Sequence, residues 1–372
     1  AVVNPKQTSC KYPFKLLCGA GVAYKLISLL YDRLGLDKKE LEDYIEFMAI
    51  ATVGDIVDLI DENRIVVKYG LKHIAHTKNT GLRALIEECQ LDINNISSYH
   101  IGFVIGPCLN ASGRLDTARQ AIELMLCKDD EKAHNMAKEL IALNNERKSM
   151  TEQETHKAIE LVENTGLLKD RVLVIYLKDC HESIAGIIAG RIKERYYRPT
   201  FVITNAEDGA KGSGRSIEGY NMYEEINKCK NVLTKYGGHP MAAGVSMPGE
   251  HVEKFRKRLN ELCTLTEKDL TEVVRIDIAM PFSYVSERLV EELSLLEPFG
   301  KGNSKPVFAA KGVQVLETRV LGKNQNVLRL KLKDESGTTM DGIYFSDQMN
   351  EVLKTMQQKP RLAFLYYPEI NE

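Results

Sequence analysis

The chain has 372 residues, of which 44% are apolar and 27% charged, with a formal net charge of −2. This composition supports sizeable cores in two or three domains. It excludes a membrane-spanning protein, since no apolar run approaches the roughly 20 residues that a transmembrane helix needs. Because the net charge is close to zero, a nucleic-acid partner would need Lys and Arg clustered on one face.

The first ten residues contain no basic region followed by an apolar one. No secretory signal is therefore visible, and we expect a cytoplasmic protein. The chain also opens without an initiator Met, which indicates a fragment. Its eight cysteines form no CxxC pair and are typical of reduced, buried thiols rather than of a zinc site or disulfides.

Asp55 is the first candidate functional residue in chain order, and it follows a predicted helix in the run Thr52-Val53-Gly54-Asp55. Taken alone, it favours a cap on the next helix. The alternative is a metal ligand, because Mg²⁺ and Mn²⁺ prefer oxygen donors. Apolar spacing predicts the surrounding helices at Gly21–Leu34, Lys39–Ala51, Arg64–His76 and Gly81–Cys89.

The segment Gly106–Arg114 is predicted to be a loop at a helix entrance. Its glycines, Asn110 and Arg114 could form a phosphate clamp, since arginine suits bidentate phosphate contact. The other interpretation is a helical turn with a surface arginine.

A long helix without Pro or Gly is predicted from about Asp130 to Glu163, which would span roughly 45 Å. We interpret it as a domain connector. The pattern then changes to strand, helix and strand, which predicts a small α/β domain closing near Cys263. His181 begins the helix of this domain.

Two glycine-bearing stretches in this domain indicate an anion site. Lys211–Ser216 brings small residues, hydroxyls and cations to a probable strand end. Tyr236–Gly244 is predicted to be a turn between an amphipathic helix ending near Lys235 and a strand starting near Ala242. Its glycines would let a phosphate approach the backbone, and His239 would donate to it. The alternative is a tight turn in which His239 satisfies a nearby carbonyl.

The last part of the chain is predicted to be β-rich after a helix at Ser286–Leu295. Strands are expected at Val307–Leu316, Val327–Lys333, Thr339–Phe345 and Leu362–Tyr366. The second strand alternates leucines with Arg329, Lys331 and Lys333, which indicates a half-buried strand with a basic face. That face suits an OB-fold barrel tracking a single strand, or it is simply solvated.

Several motifs together resemble a known family. GSGRS at 212–216 and GGHPMAAG at 237–244 resemble the DHHA1 domain of the DHH phosphoesterase superfamily. With ATVGD at 51–55, GPCLNASGR at 106–114 and LEPFG at 296–300, the whole chain resembles the RecJ family of single-strand-specific exonucleases. The motifs occur in the family's order.

The resemblance implies an α/β fold with four parts. These are a truncated DHH phosphoesterase domain (1–128), a connecting helix (129–165), a DHHA1 α/β domain (166–265) and an incomplete OB-like barrel (266–372). The family's DxD-type and Asp-His-His motifs are absent, and the chain contains no His-His pair. We expect them upstream of Ala1, and we expect the barrel to continue beyond Glu372.

The resemblance also implies the functional residues. Asp55 matches a metal-ligand aspartate for Mn²⁺ or Mg²⁺ and, with His239, is assigned to catalysis. Substrate binding is assigned to Asn110, Arg114, His181, Ser213, Arg215, Ser216, Gly237, Gly238 and His239.

The expected function is single-strand-specific 5′→3′ DNA hydrolysis in repair and recombination, with single-stranded DNA, a single-strand-binding protein and a helicase as partners and no membrane. Two-metal cleavage needs more ligands than Asp55, so we expect this chain to be inactive alone. One alternative is a non-catalytic nucleic-acid-binding relative. Another is a phosphodiesterase acting on short oligonucleotides or cyclic dinucleotides.

Overall fold

A computed structural model describes residues 2–115, 117–322, 324–346 and 348–371. The chain forms two compact units, one built from residues 1–75 and 274–372 and the other from residues 76–273. Within the described ranges, no helix has the length and apolar character that crossing a membrane requires.

The N-terminal part of the first unit is helical. Gly70 lets two of its helices pack closely, because a Cβ there would collide with Ala49 and lie 2.9 Å from the Ile45 carbonyl oxygen. Ala49, Leu59 and Val67 form the core between them. The elements are α1 (Gly19–Leu34), a 3₁₀ helix (Lys38–Tyr44), α2 (Ile45–Gly54) and α3 (Asp61–Ile74).

The C-terminal part of the first unit is a curled half-barrel sheet. Leu328, Leu330 and Leu332 face its core, as the alternating pattern predicted. The elements are β6 (Ile278–Ala279), α12 (Glu287–Ser294), β7 (Phe308–Leu321), β8 (Val327–Lys333), β9 (Thr339–Phe345), α13 (Met349–Gln358) and β10 (Leu362–Tyr366). The strand order is β10-β7-β8-β9, antiparallel throughout, and β6 pairs in parallel with β7. Helix α13 was not predicted.

A buried carboxylate closes the turn after β8. Asp334 is 5% exposed, and it accepts hydrogen bonds from the backbone N–H of Phe282 at 2.7 Å, of Ser336 at 3.0 Å and of Thr338 at 3.1 Å. Burial alone would raise the pKa of Asp334, but the hydrogen bonds from Ser336, Phe282 and Thr338 outweigh it and lower the pKa. The charged form is therefore the stable one in the folded sheet.

The segment containing LEPFG is seated on α3. The Arg64 Nη2 donates to the carbonyl oxygens of Leu296 at 3.0 Å and of Glu297 at 3.2 Å. Asp58 pairs with Lys301 at 3.3 Å. This motif therefore serves packing within the first unit.

The first half of the second unit is helical, and here one prediction was wrong. Residues 106–114 form a helix rather than a loop, and Arg114 lies in its last turn. Pro107 fits because a π-helical turn, Ile101–Ile105, precedes the helix, and a proline cannot donate the usual backbone hydrogen bond. The helices are α4 (Thr80–Glu88), α5 (Ser98–His100), α6 (Gly106–Leu115), α7 (Arg119–Leu126) and α8 (Asp130–Asn164).

The second half of the second unit is a five-stranded sheet covered by helices. The elements are β1 (Leu173–Tyr176), α9 (Glu182–Tyr196), β2 (Thr200–Ala206), β3 (Gly209–Arg215), α10 (Met222–Asn227), β4 (Lys235–His239), β5 (Ala242–Met247) and α11 (Val252–Leu262). The strand order is β1-β2-β3-β5-β4, in which β1 and β2 are parallel and the other pairs are antiparallel. Helices α8 and α9 cover one face over β1 and β2, and α10 and α11 cover the other.

The helix predicted to end near Lys235 was also wrong. Helix α10 ends at Asn227, and residues 235–239 form β4, which pairs with β5 around a turn at Pro240 and Met241. Two adjacent glycines disfavour a helix, while the strand gains a full ladder with β5. Gly238 takes a φ of 155° in this hairpin.

Candidate functional site

An open cleft of about 610 Å³ lies over the part of the sheet formed by β3, β5 and β4. Residues two apart on a strand share a face, so three aligned rows form one surface at this cleft. The rows are Lys211–Ser246–Lys235, Ser213–Gly244–Gly237 and Arg215–Ala242–His239. Both outer rows therefore carry cations, and the middle row is nearly free of side chains.

The glycines of this surface have two different roles. A Cβ at Gly237 would meet nothing within 4 Å, and one at Gly244 would meet only the Gly212 carbonyl oxygen at 4.0 Å. These two glycines leave the backbone of β4 and β5 uncovered. Gly212 and Gly214 instead face the core: a Cβ at Gly214 would lie 2.5 Å from the Met222 sulfur, and one at Gly212 would collide with Ile203.

The N-terminus of α9 forms one wall of the cleft. His181 is the N-cap, and its Nδ1 accepts a hydrogen bond from the Ser183 backbone at 3.3 Å and lies 2.7 Å from the Ser183 hydroxyl. Lys211 pairs with Glu182 at 3.0 Å, and this hydrogen bond raises the pKa of Lys211. Lys211 is therefore a compensated cation, and His181 has a capping role whatever else it binds.

Arg114 and Arg215 approach the cleft from different elements. The Arg114 Nη1 donates to the Ser183 carbonyl oxygen at 2.9 Å. The Arg215 Nη1 donates to the Gly214 carbonyl oxygen at 2.8 Å, and its guanidinium packs against α9 at Gly186. Burial lowers the pKa of Arg215, and the positive charge of Arg114 lowers it further.

Arg147 and Arg191 extend this cluster, and sequence reasoning assigned neither of them a role. Arg147 donates through Nε and Nη2 to the Asn144 Oδ1 at 3.2 and 2.9 Å, and Asn144 is only 2% exposed. Burial lowers the pKa of Arg147, as do the charges of Arg114 and Arg191. The sequence contained little indication of a role for Arg147, because α8 was interpreted only as a connector between domains.

The four guanidinium groups carry uncompensated charge. Among the described residues, none of Arg114, Arg147, Arg191 and Arg215 has a carboxylate within the 4.0 Å of a salt bridge. Arg147 and Arg215 are half-buried, and Arg114 and Arg191 are exposed. An anion would relieve the repulsion among these charges, and arginine binds phosphate in a bidentate manner. The arrangement can therefore hold a polyanion over a bare backbone surface.

The other residues predicted in β3 and the hairpin are divided between the cleft and the core. Ser213 lies in the middle row beside Gly244. His239 is exposed at the end of its row, and its Nδ1 accepts a hydrogen bond from the Met241 N–H at 3.3 Å, which leaves Nε2 as a donor in the neutral ring. Ser216 is 2% exposed.

The Ser216 hydroxyl donates to the Tyr220 carbonyl oxygen at 2.6 Å, so Ser216 lies away from the cleft. Gly238 alternates with Gly237 and pairs with Ala243, which packs into the core on the opposite face of the sheet. Gly238 therefore also lies away from the cleft surface. Asn110 is exposed on α6, about one helical turn before Arg114. Arg114, His181, Ser213 and Gly237 are the predicted residues that line the cleft together.

Asp55 belongs to the first unit, where it follows the last residue of α2. It does not cap α3, whose N-cap is Ile60. Its side chain is exposed and has no hydrogen-bond or ion-pair partner among the described residues. Those residues also contain no group of three His, Cys, Asp or Glu side chains that could hold a metal. Asp55 thus fits one oxygen-ligand position but not a complete metal site.

The basic face of β8 is largely neutralised. Arg329 pairs with Asp341 at 3.3 Å, and Lys331 lies 3.9 Å from Glu317. The alternation of this strand was predicted correctly. Of its three exposed cations, only Lys333 has no ion pair with another described residue. Two of the three cations on this face of β8 are therefore paired with carboxylates.

Comparison with known proteins matches two family models, a DHHA1 domain over residues 169–265 and a RecJ OB domain over residues 276–372. The chain is 35% identical over 377 residues to the single-stranded-DNA-specific exonuclease RecJ of Bacillus subtilis, covering 100% of this chain and 47% of that protein. It is 32% identical to the protein of the same name from Haemophilus influenzae, covering 100% of this chain and 68% of that protein. The chain thus spans about half to two thirds of these relatives.

Solved structures show the same likeness. RecJ from Thermus thermophilus in complex with Mg²⁺ has a TM-score of 0.77 and 27% identity, covering 95% of this chain and 53% of that one. The Mn²⁺ complex has a TM-score of 0.76 and 29% identity, covering 89% and 48%. The predicted α/β fold with DHHA1 and OB domains is confirmed.

Proposed function

Because this chain belongs to the RecJ family of single-stranded-DNA-specific exonucleases, we propose that it holds an unpaired DNA strand for 5′→3′ hydrolysis in DNA repair and recombination. The relatives' names support the substrate class. The single observation that carries the proposal is the cluster of four arginines without carboxylate partners among the described residues, beside a glycine-bearing surface.

In this proposal the strand is bound through its phosphates. Arg114, Arg147, Arg191 and Arg215 contact them as charged donors, and Ser213 and His239 add further hydrogen-bond donors. Gly237 and Gly244 leave room for the sugar-phosphate backbone to approach β4 and β5. Base identity plays no part in these contacts, which suits an enzyme that degrades any sequence.

The proposal for metal binding involves only one residue of this chain. The solved relatives contain Mg²⁺ or Mn²⁺, and such an ion supplies activated water and charge stabilisation when bound. Asp55 is proposed as one oxygen ligand. The described residues contain no group of three ligands, so hydrolysis would require further metal ligands beside Asp55. Asn110 and His181 are proposed substrate contacts. Ser216 and Gly238 are proposed to shape the site from the side of the sheet away from the cleft.

A second candidate function is binding of single-stranded nucleic acid without cleavage. It is favoured by the contrast between the arginine cluster and the metal ligands, because the described residues contain no group of three side chains that could hold a metal around Asp55. In either case the unpaired strand must come from a reaction that separates or resects duplex DNA. A helicase and a single-strand-binding protein are therefore proposed partners, and the cytoplasm is the proposed location.

The salt dependence of binding tests the proposal. Four phosphate contacts to a single strand give a slope of log K against log[salt] of about −2.8, so affinity should fall about 50-fold between 50 and 200 mM salt. Arg215→Ala should weaken binding by about 10-fold or more and reduce the slope by about 0.7. Fluorescence anisotropy with a labelled oligo-dT measures both quantities.

Lys138→Ala is the matched control, because Lys138 lies on α8 and pairs with Glu88 at 3.6 Å. It should leave the affinity almost unchanged. Equal small effects of both substitutions, or a slope near zero for the unmodified chain, would refute the phosphate-binding role.

A further inference from the structure

Residues 98–115 form one continuous helical segment made of α5, the π-helical turn and α6. Its buried side is marked by Ile101, Ile105, Cys108 and Ser112. The other side exposes Tyr99, Phe103, Asn110 and Arg114. Both sets have spacings of three, four or seven residues, as expected for opposite faces of a helix. Arg114 of the phosphate-binding cluster thus shares a face with two aromatic rings.

The two rings form a stacked pair in contact with solvent. The ring centroids of Tyr99 and Phe103 lie 4.9 Å apart with an interplanar angle of 29°. Tyr99 is 62% exposed and Phe103 is 66% exposed. The two rings are not needed for helix packing, because Ile101 and Ile105 already fill the buried face of the segment. The pair is therefore an aromatic surface available to a ligand.

We propose that Tyr99 and Phe103 are a stacking platform for an unpaired nucleobase of the strand whose phosphates lie at Arg114. The proposal rests on the proposed function and extends the binding site along the helix. Phe103 and Arg114 are 11 residues apart, which is about 16 Å along the axis. A single strand bound at one end therefore reaches the other within a few nucleotides, and Asn110 between them offers amide donors and acceptors to it.

The charges of the segment favour a polyanion over a protein partner. Residues 98–115 contain no Asp or Glu, and Arg114 and His100 are their only basic residues. A strand running along this face would meet no repelling carboxylate from the helix that carries it. Every base has an aromatic face, so stacking on such a pair is independent of sequence. The π-helical turn beneath the rings is also a feature that is frequent at functional sites.

Tryptophan fluorescence tests the platform directly, because the chain contains no Trp. In Phe103→Trp the new indole is the only tryptophan, and oligo-dT should quench its emission as a base stacks on it. An abasic oligonucleotide with the same number of phosphates should bind at the arginines without quenching. Tyr69→Trp, at a 61% exposed position on α3, should show no quenching with either oligonucleotide.

Affinities provide the second measurement. The double variant Tyr99→Ala/Phe103→Ala should bind oligo-dT at least about five-fold more weakly and bind the abasic strand like the unmodified chain. Phe103→Leu should lose affinity, and Phe103→Trp should keep it, because stacking needs a ring and not only an apolar side chain.

The outcomes separate this proposal from the proposed function. If oligo-dT binds with the expected salt slope but the double variant binds it unchanged, the platform is refuted and the rings serve another occupant, such as a protein. If the unmodified chain binds no oligonucleotide, the proposed function fails first, and the platform fails with it.

Discussion

Arg215 depends on a residue that carries no side chain. A Cβ at Gly186 would lie 2.7 Å from the Arg215 Nη2 and 3.2 Å from its Cζ. The absence of a side chain on α9 therefore lets the guanidinium pack against the helix and lie near Arg114. The position of the charge is set by this contact as much as by β3, on which Arg215 lies.

Gly186→Ala should displace the guanidinium and weaken binding of oligo-dT by about 10-fold or more, close to the effect of Arg215→Ala. The physical reason is the loss of a positioned, charge-assisted phosphate contact, worth about 1.5–3 kcal/mol. The fold should survive, because the colliding atoms are the end of a flexible side chain. Anisotropy titration gives the affinity, and circular dichroism checks the fold.

Gly190→Ala is the matched control on the same helix. A Cβ there meets nothing within 4 Å, so affinity should not change and stability should rise by up to about 1 kcal/mol from helix propensity. If Gly186→Ala binds oligo-dT as tightly as Gly190→Ala does, Gly186 does not position Arg215 for binding.

At the level of residues, the sequence predicted which residues lie in the site motifs better than it predicted the direction that each of them faces. Ser213 and Ser216 lie three residues apart in one motif, yet one faces the cleft and the other is buried against Tyr220. Gly237 and Gly238 are divided in the same way. Strand alternation separates Gly237 from Gly238, and Ser216 lies just beyond the end of β3. The direction of each side chain therefore follows only once the bounds of the strands are known. Arg147 was missed because its position depends on how α8 packs.

At the level of elements, Asp334 makes the half-barrel sensitive to acid. Its pKa is lower in the folded state than in the unfolded chain, for which about 3.9 is typical. The stability it contributes is therefore complete above about pH 3.9 and is lost as pH falls through the lower, folded value. Asp334→Asn should cost about 1–3 kcal/mol at pH 7, and this cost should decrease as pH falls below about 3.9.

Thermal unfolding of both proteins at pH 7 and at about pH 3 measures this difference. Asp341→Asn is the control, because Asp341 is an exposed carboxylate paired with Arg329, and surface pairs contribute about 0–1 kcal/mol. A gap between Asp334→Asn and the unmodified chain that stays constant with pH would contradict the assignment.

Elements with strong periodicity were predicted well, and those dominated by glycine and proline were not. The long helix α8 and strands β8, β9 and β10 were predicted within a residue or so at each end. Residues 106–114 and 235–239 were misjudged because Gly and Pro usually mark turns. In the first case a continuous helix and in the second a strand ladder outweighed that local preference. Helix α13 lies between strands that were predicted correctly.

At the level of the whole molecule, binding and metal chemistry should be separable. The unmodified chain is expected to bind oligo-dT with the same affinity in EDTA and in Mn²⁺ and to release few or no mononucleotides. The arginine cluster needs no metal, while the described residues offer Asp55 without two further ligands beside it. Anisotropy and gel analysis of end-labelled DNA give the two readouts.

Asp55→Ala serves as the comparison and should leave binding unchanged. Mn²⁺-dependent release of mononucleotides that this substitution abolishes would contradict the expectation. Such a result would mean that the chain assembles a working metal site around Asp55.

Helix α8 limits how the length of this protein can change over evolution. Its buried residues Ala137, Asn144, Thr151 and Ala158 repeat every seven positions, and the helix packs against α4 and α6 and against α9. Inserting one residue would rotate everything beyond it by about 100° and shift it by about 1.5 Å. Either Arg147 would then be rotated out of the arginine cluster, or the later part of α8 would no longer cover β1 and β2. Insertions and deletions should therefore accumulate in the loops among relatives, while the length of α8 is retained.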